Sequence, residues 1–158
     1  MNVVQPDLLI DAIQCGDIMS TEPACVQFGT PLAEAWQLMI KHAVKALPVT
    51  DRARRIVGIV TMADFLRHSG WEIYEGLGKR LLGFLQPSGR VHSHKPEVVG
   101  QIMIRQVRVV SVGRPASDLI PLFSEAGHHH IPVIDEERHL VGIITPTNLV
   151  RTLYQIPK

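Results

Sequence analysis

Residues 17–68 and 101–152 carry nearly the same pattern, 84 positions apart and in register without a gap. Ile18-Met19 recurs as Ile102-Met103, Gly29-Thr30-Pro31 as Gly113-Arg114-Pro115, and Leu47-Pro48-Val49 as Ile131-Pro132-Val133. Val57-Gly58-Ile59-Val60-Thr61 returns as Val141-Gly142-Ile143-Ile144-Thr145, and 15 of the 52 aligned positions are identical. Unrelated sequences would match at about one position in 17. Two copies are too few to stack as a solenoid. The expected solution is a pseudo-twofold pair in which each copy covers the apolar face of the other.

Composition narrows what such a pair can do. With 158 residues, 46% of them apolar, the chain can bury one core divided between two lobes. Sixteen basic and fifteen acidic side chains leave a net charge of +1, with no basic tail and no basic stripe interleaved with aromatics, so a nucleic-acid partner is not expected. Cys15 and Cys25 fit neither a disulfide framework nor a paired metal knuckle, and no signal-peptide pattern opens the chain. A reducing, cytoplasmic setting is expected. The longest apolar runs, about five residues, fall far short of the roughly 20 needed to cross a bilayer, which predicts a soluble chain.

Each copy reads as strand, helix, strand, strand, helix, an α/β (α+β) arrangement. The spacing predicts a strand over Cys25–Phe28 and then a helix with Thr30 as N-cap and Pro31 at its first position. Leu32, Ala35, Trp36, Met39 and Ala43 fall on one stripe of that helix, as do Ala116, Leu119, Ile120 and Phe123 in the second copy. Ala46–Thr50 and Ile56–Thr61 predict a hairpin around the charged turn 51–55, and Ile131–Ile134 and Leu140–Thr145 repeat it around 135–139. Second helices are expected over Met62–His68 and Pro146–Leu153. Between the copies, Ile73, Leu77, Leu81, Phe84 and Leu85 predict an amphipathic helix from Trp71 to Gln86, ended by Pro87-Ser88-Gly89. It either covers the two lobes or forms a partner or dimer surface. The expected organisation is an N-terminal segment 1–16, a first copy 17–70, an inserted helix and linker 71–100, a second copy 101–154 and a tail 155–158.

The ordered set of an Ile-Met start, a hydrophobic-Pro-Val strand and Val-Gly-Ile-Val-Thr-x-x-Asp, repeated in register, resembles the cystathionine β-synthase (CBS) domain over about two thirds of the chain. The segments Tyr74–Gly78, Lys95–Met103 and Ala126–Val133 further resemble the CBS pair at the end of HPP-family membrane proteins. That finer resemblance implies the tail of a longer protein at the cytoplasmic face of a membrane. The CBS resemblance implies a non-catalytic regulatory module, commonly a disc-like homodimer. Such modules bind AMP, ADP, ATP or S-adenosylmethionine as a regulatory ligand between the paired repeats, with no cofactor required.

The residues can be set against that implication. Thr61 closes a strand and opens a helix, where its hydroxyl and the first-turn N–H groups could hold a phosphate. Asp64, one turn on, could accept from both ribose hydroxyls. Gly58 would admit a ligand close to the strand backbone, and Val26, Leu47, Pro48 and Val49 could face an adenine ring. The counterparts in the second copy are Val110, Ile131, Pro132, Val133, Gly142, Thr145 and Asn148. Thr-x-x-Asp at a helix start is equally a capping box that satisfies first-turn N–H groups without a ligand. Asn148 in place of Asp replaces a carboxylate by one carbonyl oxygen and an amide, and Pro146 removes one N–H, so unequal sites are expected.

His128-His129-His130 is the remaining polar feature. In a strand-like segment His128 and His130 would point to one side and His129 to the other. The tract could be structural, could contact a ligand, or could hold a metal with His139, or with His92 and His94. The chain has no Gly-x-Ser-x-Gly elbow, P-loop lysine, His-Glu-x-x-His or two-cysteine redox motif, so no enzyme is expected. The functional expectation is an adenine-nucleotide sensor. A structural or protein-interaction module with degenerate sites is the alternative, and a histidine-tract metal sensor the third reading.

Overall fold

In the computed structural model residues 10–69 and 95–155 are described. The predicted helix over 71–86, and His92 and His94, lie outside them. The first copy runs α1 (Cys15–Ile18), β1 (Ser20–Thr21), β2 (Val26–Gln27), α2 (Leu32–His42), β3 (Ala46–Thr50), β4 (Ile56–Thr61) and α3 (Met62–Arg67). The second runs from a 3₁₀ turn at Val99–Gln101 through β5 (Val110–Ser111) and a 3₁₀ turn at Ala116–Asp118 to α4 (Leu119–Ser124). It closes with β6 (Ile131–Ile134), β7 (Leu140–Ile144) and α5 (Pro146–Gln155).

The first long helix shows what the sequence decides locally. Leu-Ala-Glu-Ala-Trp-Gln-Leu-Met is a run of mostly good helix formers, and α2 continues for 11 residues. Its counterpart α4 has six residues, because Pro121 can be accommodated only in a first turn. The predicted N-cap of α2 is displaced by one position. Pro31 is the cap, with an extended ψ of 141°, while the Thr30 hydroxyl turns back and accepts from Gln27 N–H at 3.0 Å. Along the expected stripe Ala35 and Met39 are buried, but Trp36 and Ile120 are 39% and 41% exposed.

Both hairpins turn on an aspartate. Asp51 Oδ1 accepts from Ala53 and Arg55 N–H at 2.8 and 2.9 Å, and Asp135 Oδ1 accepts from Glu137 and His139 N–H at 3.0 and 2.8 Å. Arg54 and Arg138, equivalent residues, both adopt positive φ, 62° and 69°. The charged turns are thus built by an anionic acceptor that gathers backbone N–H groups.

The strands form two sheets, in the orders β2-β3-β4 and β1-β7-β6-β5. Within each copy a short strand pairs in parallel with the buried central strand, Val26 opposite Val49 and Val110 opposite Val133. A proline sits in each central strand. Pro48 is tolerated because its cross-strand partner Ile59 exchanges both backbone hydrogen bonds with Ile104, at 2.9 and 2.8 Å, and asks nothing of position 48.

That exchange with Ile104 belongs to a larger crossing. The segment leading into each copy lies on the sheet of the other copy. Cys15 and Gly16 donate to Arg114 and Val112 carbonyls at 2.8 and 2.9 Å, and Val99 and Gly100 donate to Thr30 and Phe28 at 2.9 and 2.8 Å. Every partner is displaced by 84 positions, which states the pseudo-twofold in hydrogen bonds. β1 accordingly extends the second copy's sheet, Ser20 opposite Ile143, as Ile104 extends the first copy's. The cores follow suit. Ile10 and Cys15 are buried among Val110, Leu119, Ile131, Val133 and Ile144, while Val99 and Ile102 are buried among Val26, Met39, Leu47, Val49 and Val60. Each such side chain contributes about 1.5–3 kcal/mol by leaving water.

Candidate functional site

A cleft of about 790 Å³ opens between the copies where β3 and β6 begin and β4 and β7 end. Both helix starts reach it. Thr61, Met62 and Ala63 lead into α3 from one side, and Thr145, Pro146, Thr147 and Asn148 lead into α5 from the other. Pro48, Ala46, Ile143 and Pro23 give it apolar wall, and Lys45, His42, His129 and His130 give it cationic or protonatable groups. Glu22 is the one carboxylate on its lining among the described residues.

The two helix starts are capped alike with different chemistry. Asp64 Oδ2 accepts from Thr61 N–H at 2.8 Å and from the Thr61 hydroxyl at 2.9 Å. Its Oδ1 accepts from Arg67 Nη1 at 2.8 Å, and the carboxylate side chain is 1% exposed. Asn148 Oδ1 accepts from Thr145 N–H and hydroxyl at 2.9 and 2.8 Å, leaving its amide to donate to Ser20 Oγ at 3.3 Å. Of the two readings of Thr-x-x-Asp, the capping box is formed, and Asp64 does not line the cleft. Thr61 and Thr145 do, each with its hydroxyl proton committed to the cap, and the Thr61 oxygen also accepts from Asp64 N–H at 3.4 Å.

Of the sequence-predicted site residues, the cleft brings together Pro48, Thr61, His130, Thr145 and Asn148. Leu47, Val49, Ile131 and Val133 have no exposure at all, and Val26 and Val110 have 5% and 2%. Pro132 is buried with them. These are core side chains rather than a ring-binding surface, because the strands that carry them are covered on both faces. Val26 borders a separate polar cleft of about 390 Å³ with Gln27, Thr50, Arg52 and Arg54. Gly58 and Gly142 are not openings for a ligand. A side chain at Gly58 would lie 2.6 Å from Met103 Sδ and 3.0 Å from the Ile104 carbonyl, and one at Gly142 would meet Met19 and Ser20 in the same way. The crossing segments occupy the space that these glycines leave.

The histidine tract is not a strand. β6 starts only at Ile131, so strict alternation does not apply. His129 and His130 line the cleft, whereas His128 does not, and its N–H donates to the Leu122 carbonyl at 3.2 Å. His130 is held below the ordinary imidazole value, first by burial and then by the positive charge of His129 and Lys45. Among the described residues the tract joins no cluster of metal-ligand spacing. The one such cluster there is Asp135, Glu137 and His139 on the second hairpin turn. Cys15, buried against Arg114 and the second core, has its thiol pushed up to about 11 by burial.

Sequence reasoning missed Lys45, His42, Ser20, Glu22 and Ala24. Lys45 was findable, since it stands 84 positions before His129 and so occupies the tract's place in the first copy. Ser20–Ala24 reach the cleft only through the crossing.

A duplicated β-α-β-β-α pair with a cleft at the paired helix starts defines the class. Its family follows from comparison: the CBS domain profile matches residues 15–70 and 99–155, and the chain belongs to that family. It is similar to CBSX1 of Arabidopsis thaliana chloroplasts, 26% identical over 147 residues, covering 82% of this chain and 58% of that protein. It is also similar to the L-aspartate semialdehyde sulfurtransferase of Methanocaldococcus jannaschii, 25% identical over 135 residues, covering 85% of this chain and 22% of the enzyme. The chain therefore spans between about a fifth and three fifths of the length of these relatives. The crystal structure of Arabidopsis CBSX2 with AMP superposes with a TM-score of 0.72 at 26% identity, covering 92% of this chain and 99% of that one. No helix among the described residues is long and apolar enough to cross a membrane.

Proposed function

We propose that this chain is a non-catalytic regulatory module that binds an adenine nucleotide or adenosyl ligand in the cleft between its copies. One observation carries the reading: the pseudo-twofold brings both threonine-led helix starts and the basic groups Lys45, His129 and His130 to one cleft with apolar walls. A relative of the same fold, CBSX2, has been crystallised with AMP. Pro23, Ala24 and Ile143, the partly exposed apolar groups of the lining, suit the base, and Thr61, Thr145, Asn148 and Lys45 suit the ribose and phosphate. Asp64 acts through Thr61, which it orients.

Signalling then requires that the ligand prefer one packing of the copies, or one dimer geometry, over another. The helical faces suit a second copy of the chain. Trp36, Ile40 and Leu66 on α2 and α3, and Ile120, Val150, Leu153 and Tyr154 on α4 and α5, are all exposed apolar side chains. The HPP-family resemblance would place the same module behind a membrane-embedded part, with the cleft unchanged.

The test is calorimetry and thermal shift with AMP, ADP, ATP and S-adenosylmethionine on the intact chain and on Lys45→Ala and Thr61→Ala. A ligand at 100 times its dissociation constant adds about 2.7 kcal/mol to the stability of the state that binds it. Saturable stabilisation that weakens in both variants supports the reading. No response to any of the four overturns it and favours a structural or interaction module, which the full capping of Asp64 and its replacement by Asn148 would suit.

A further inference from the structure

The cleft's basic groups are distributed by the duplication itself. Lys45 and His129 are the same position of the two copies, each just before the central strand of its sheet, and His130 is the counterpart of Ala46. The pseudo-twofold turns both positions toward one cleft, with His42 from the end of α2 beside them. Among the described residues Glu22 alone opposes them with a carboxylate on the lining, and the remaining polar neighbours, Ser20, Thr61, Thr145, Thr147 and Asn148, are neutral. A single phosphate needs one such cation. Groups supplied from both copies can neutralise several phosphoryl charges together.

We propose that this cleft selects its ligand by phosphate number: it takes a nucleoside di- or triphosphate laid across the pseudo-twofold, polyphosphate between Lys45 and His129–His130, and gains a proton on an imidazole as it binds. The proposal deepens the nucleotide reading and rests on it. In the free protein burial, and then the neighbours His129 and Lys45, disfavour the imidazolium at His130, which stands with them on the cleft lining. An arriving polyphosphate reverses the sign of the local potential and favours the imidazolium. Charge-assisted hydrogen bonds to phosphate oxygens then form where neutral ones would be weaker. Monophosphates bring less charge and draw in the proton less strongly.

Isothermal titration with AMP, ADP, ATP and inorganic tripolyphosphate, at pH 6, 7 and 8 and in two buffers of different ionisation enthalpy, tests this directly. ATP is expected to bind about ten- to a hundredfold more tightly than AMP. Proton uptake should be visible as a buffer-dependent enthalpy, with ATP affinity falling by up to about tenfold per pH unit above neutrality for each proton taken up. Tripolyphosphate should compete with ATP. Lys45→Ala and His130→Gln should each shrink the ATP-to-AMP ratio, and His130→Gln should abolish the proton uptake while circular dichroism shows the fold intact. AMP binding as tightly as ATP, or His130→Gln weakening both equally without changing proton uptake, overturns the inference but leaves the nucleotide reading standing. Failure of AMP, ADP and ATP alike overturns the inference, and failure of S-adenosylmethionine as well removes the underlying reading.

Discussion

Gly58 lies directly beneath the thioether of Met103, and an added Cβ would stand 2.6 Å from that sulfur. Gly142 meets Met19 in the same way. The glycine of each copy thus meets the methionine of the other, and the Ile-Met and Val-Gly pieces of the repeat are halves of one contact.

Replacing Gly58 with alanine should therefore destabilise the chain. The methionine sulfur can move, but the Ile104 carbonyl at 3.0 Å is backbone held by two hydrogen bonds to Ile59. Overpacking of this kind costs about 1–3 kcal/mol. Urea denaturation of Gly58→Ala and of the double variant with Met103→Ala checks it: the second change should recover part of the loss but not all of it.

Asp64→Ala removes a buried acceptor of three hydrogen bonds, two from Thr61 and one from Arg67. A lost cap and an unpaired Thr61 N–H together amount to about 1–3 kcal/mol. Asp64→Asn should lose less, because Asn148 already holds Thr145 in that manner. Thermal denaturation midpoints of the two variants should rank accordingly, and equal midpoints would contradict the capping role.

Protonation of His130 supplies a pH limb. Its folded value lies below the ordinary 6.5 because of burial first and the charges of His129 and Lys45 next. As pH falls through about 6.5 the unfolded chain takes the proton first. Stability present above that value is lost on acidification, until the folded value is also passed. Denaturant midpoints between pH 5.5 and 7.5 should be flatter in His130→Gln than in the parent chain.

Asp135 acts with the same sign in a lower pH window. Hydrogen bonding from the His139 backbone, chiefly, holds its carboxyl below the usual 3.8. Its contribution is present above about pH 4 and is lost as pH drops through the lower folded value. Asp135→Asn should blunt acid unfolding in that window, as read by circular dichroism between pH 2 and 5.

Much of this molecule was legible in the 84-residue repeat. It announces a pseudo-twofold pair, and the alternation of helix-spaced and β-branched segments gives the element order within a few residues. What escaped was which copy each leading segment serves, because hydrogen bonds between Cys15 and Arg114 or Val99 and Thr30 leave no local trace in composition. Leu47, Val49, Ile131 and Val133 show the related failure. A buried strand and a ligand-facing strand are both apolar, and only the layers packed above and below distinguish them. Thr-x-x-Asp was ambiguous for a different reason, since a cap and a phosphate compete for the same N–H groups.

The crossing of residues 13–20 and 97–104 bears on how such a chain can be divided. Cut between its copies, neither fragment would retain the segment that seals its own core: residues 10–69 would lack Val99 and Ile102, and residues 95–155 would lack Cys15. Each half is complete only when another supplies the missing strip, so free halves would assemble at a rate and extent set by their concentration. Joining them in one polypeptide replaces that concentration with a fixed local one, and the integrity of either lobe becomes independent of how much protein is present.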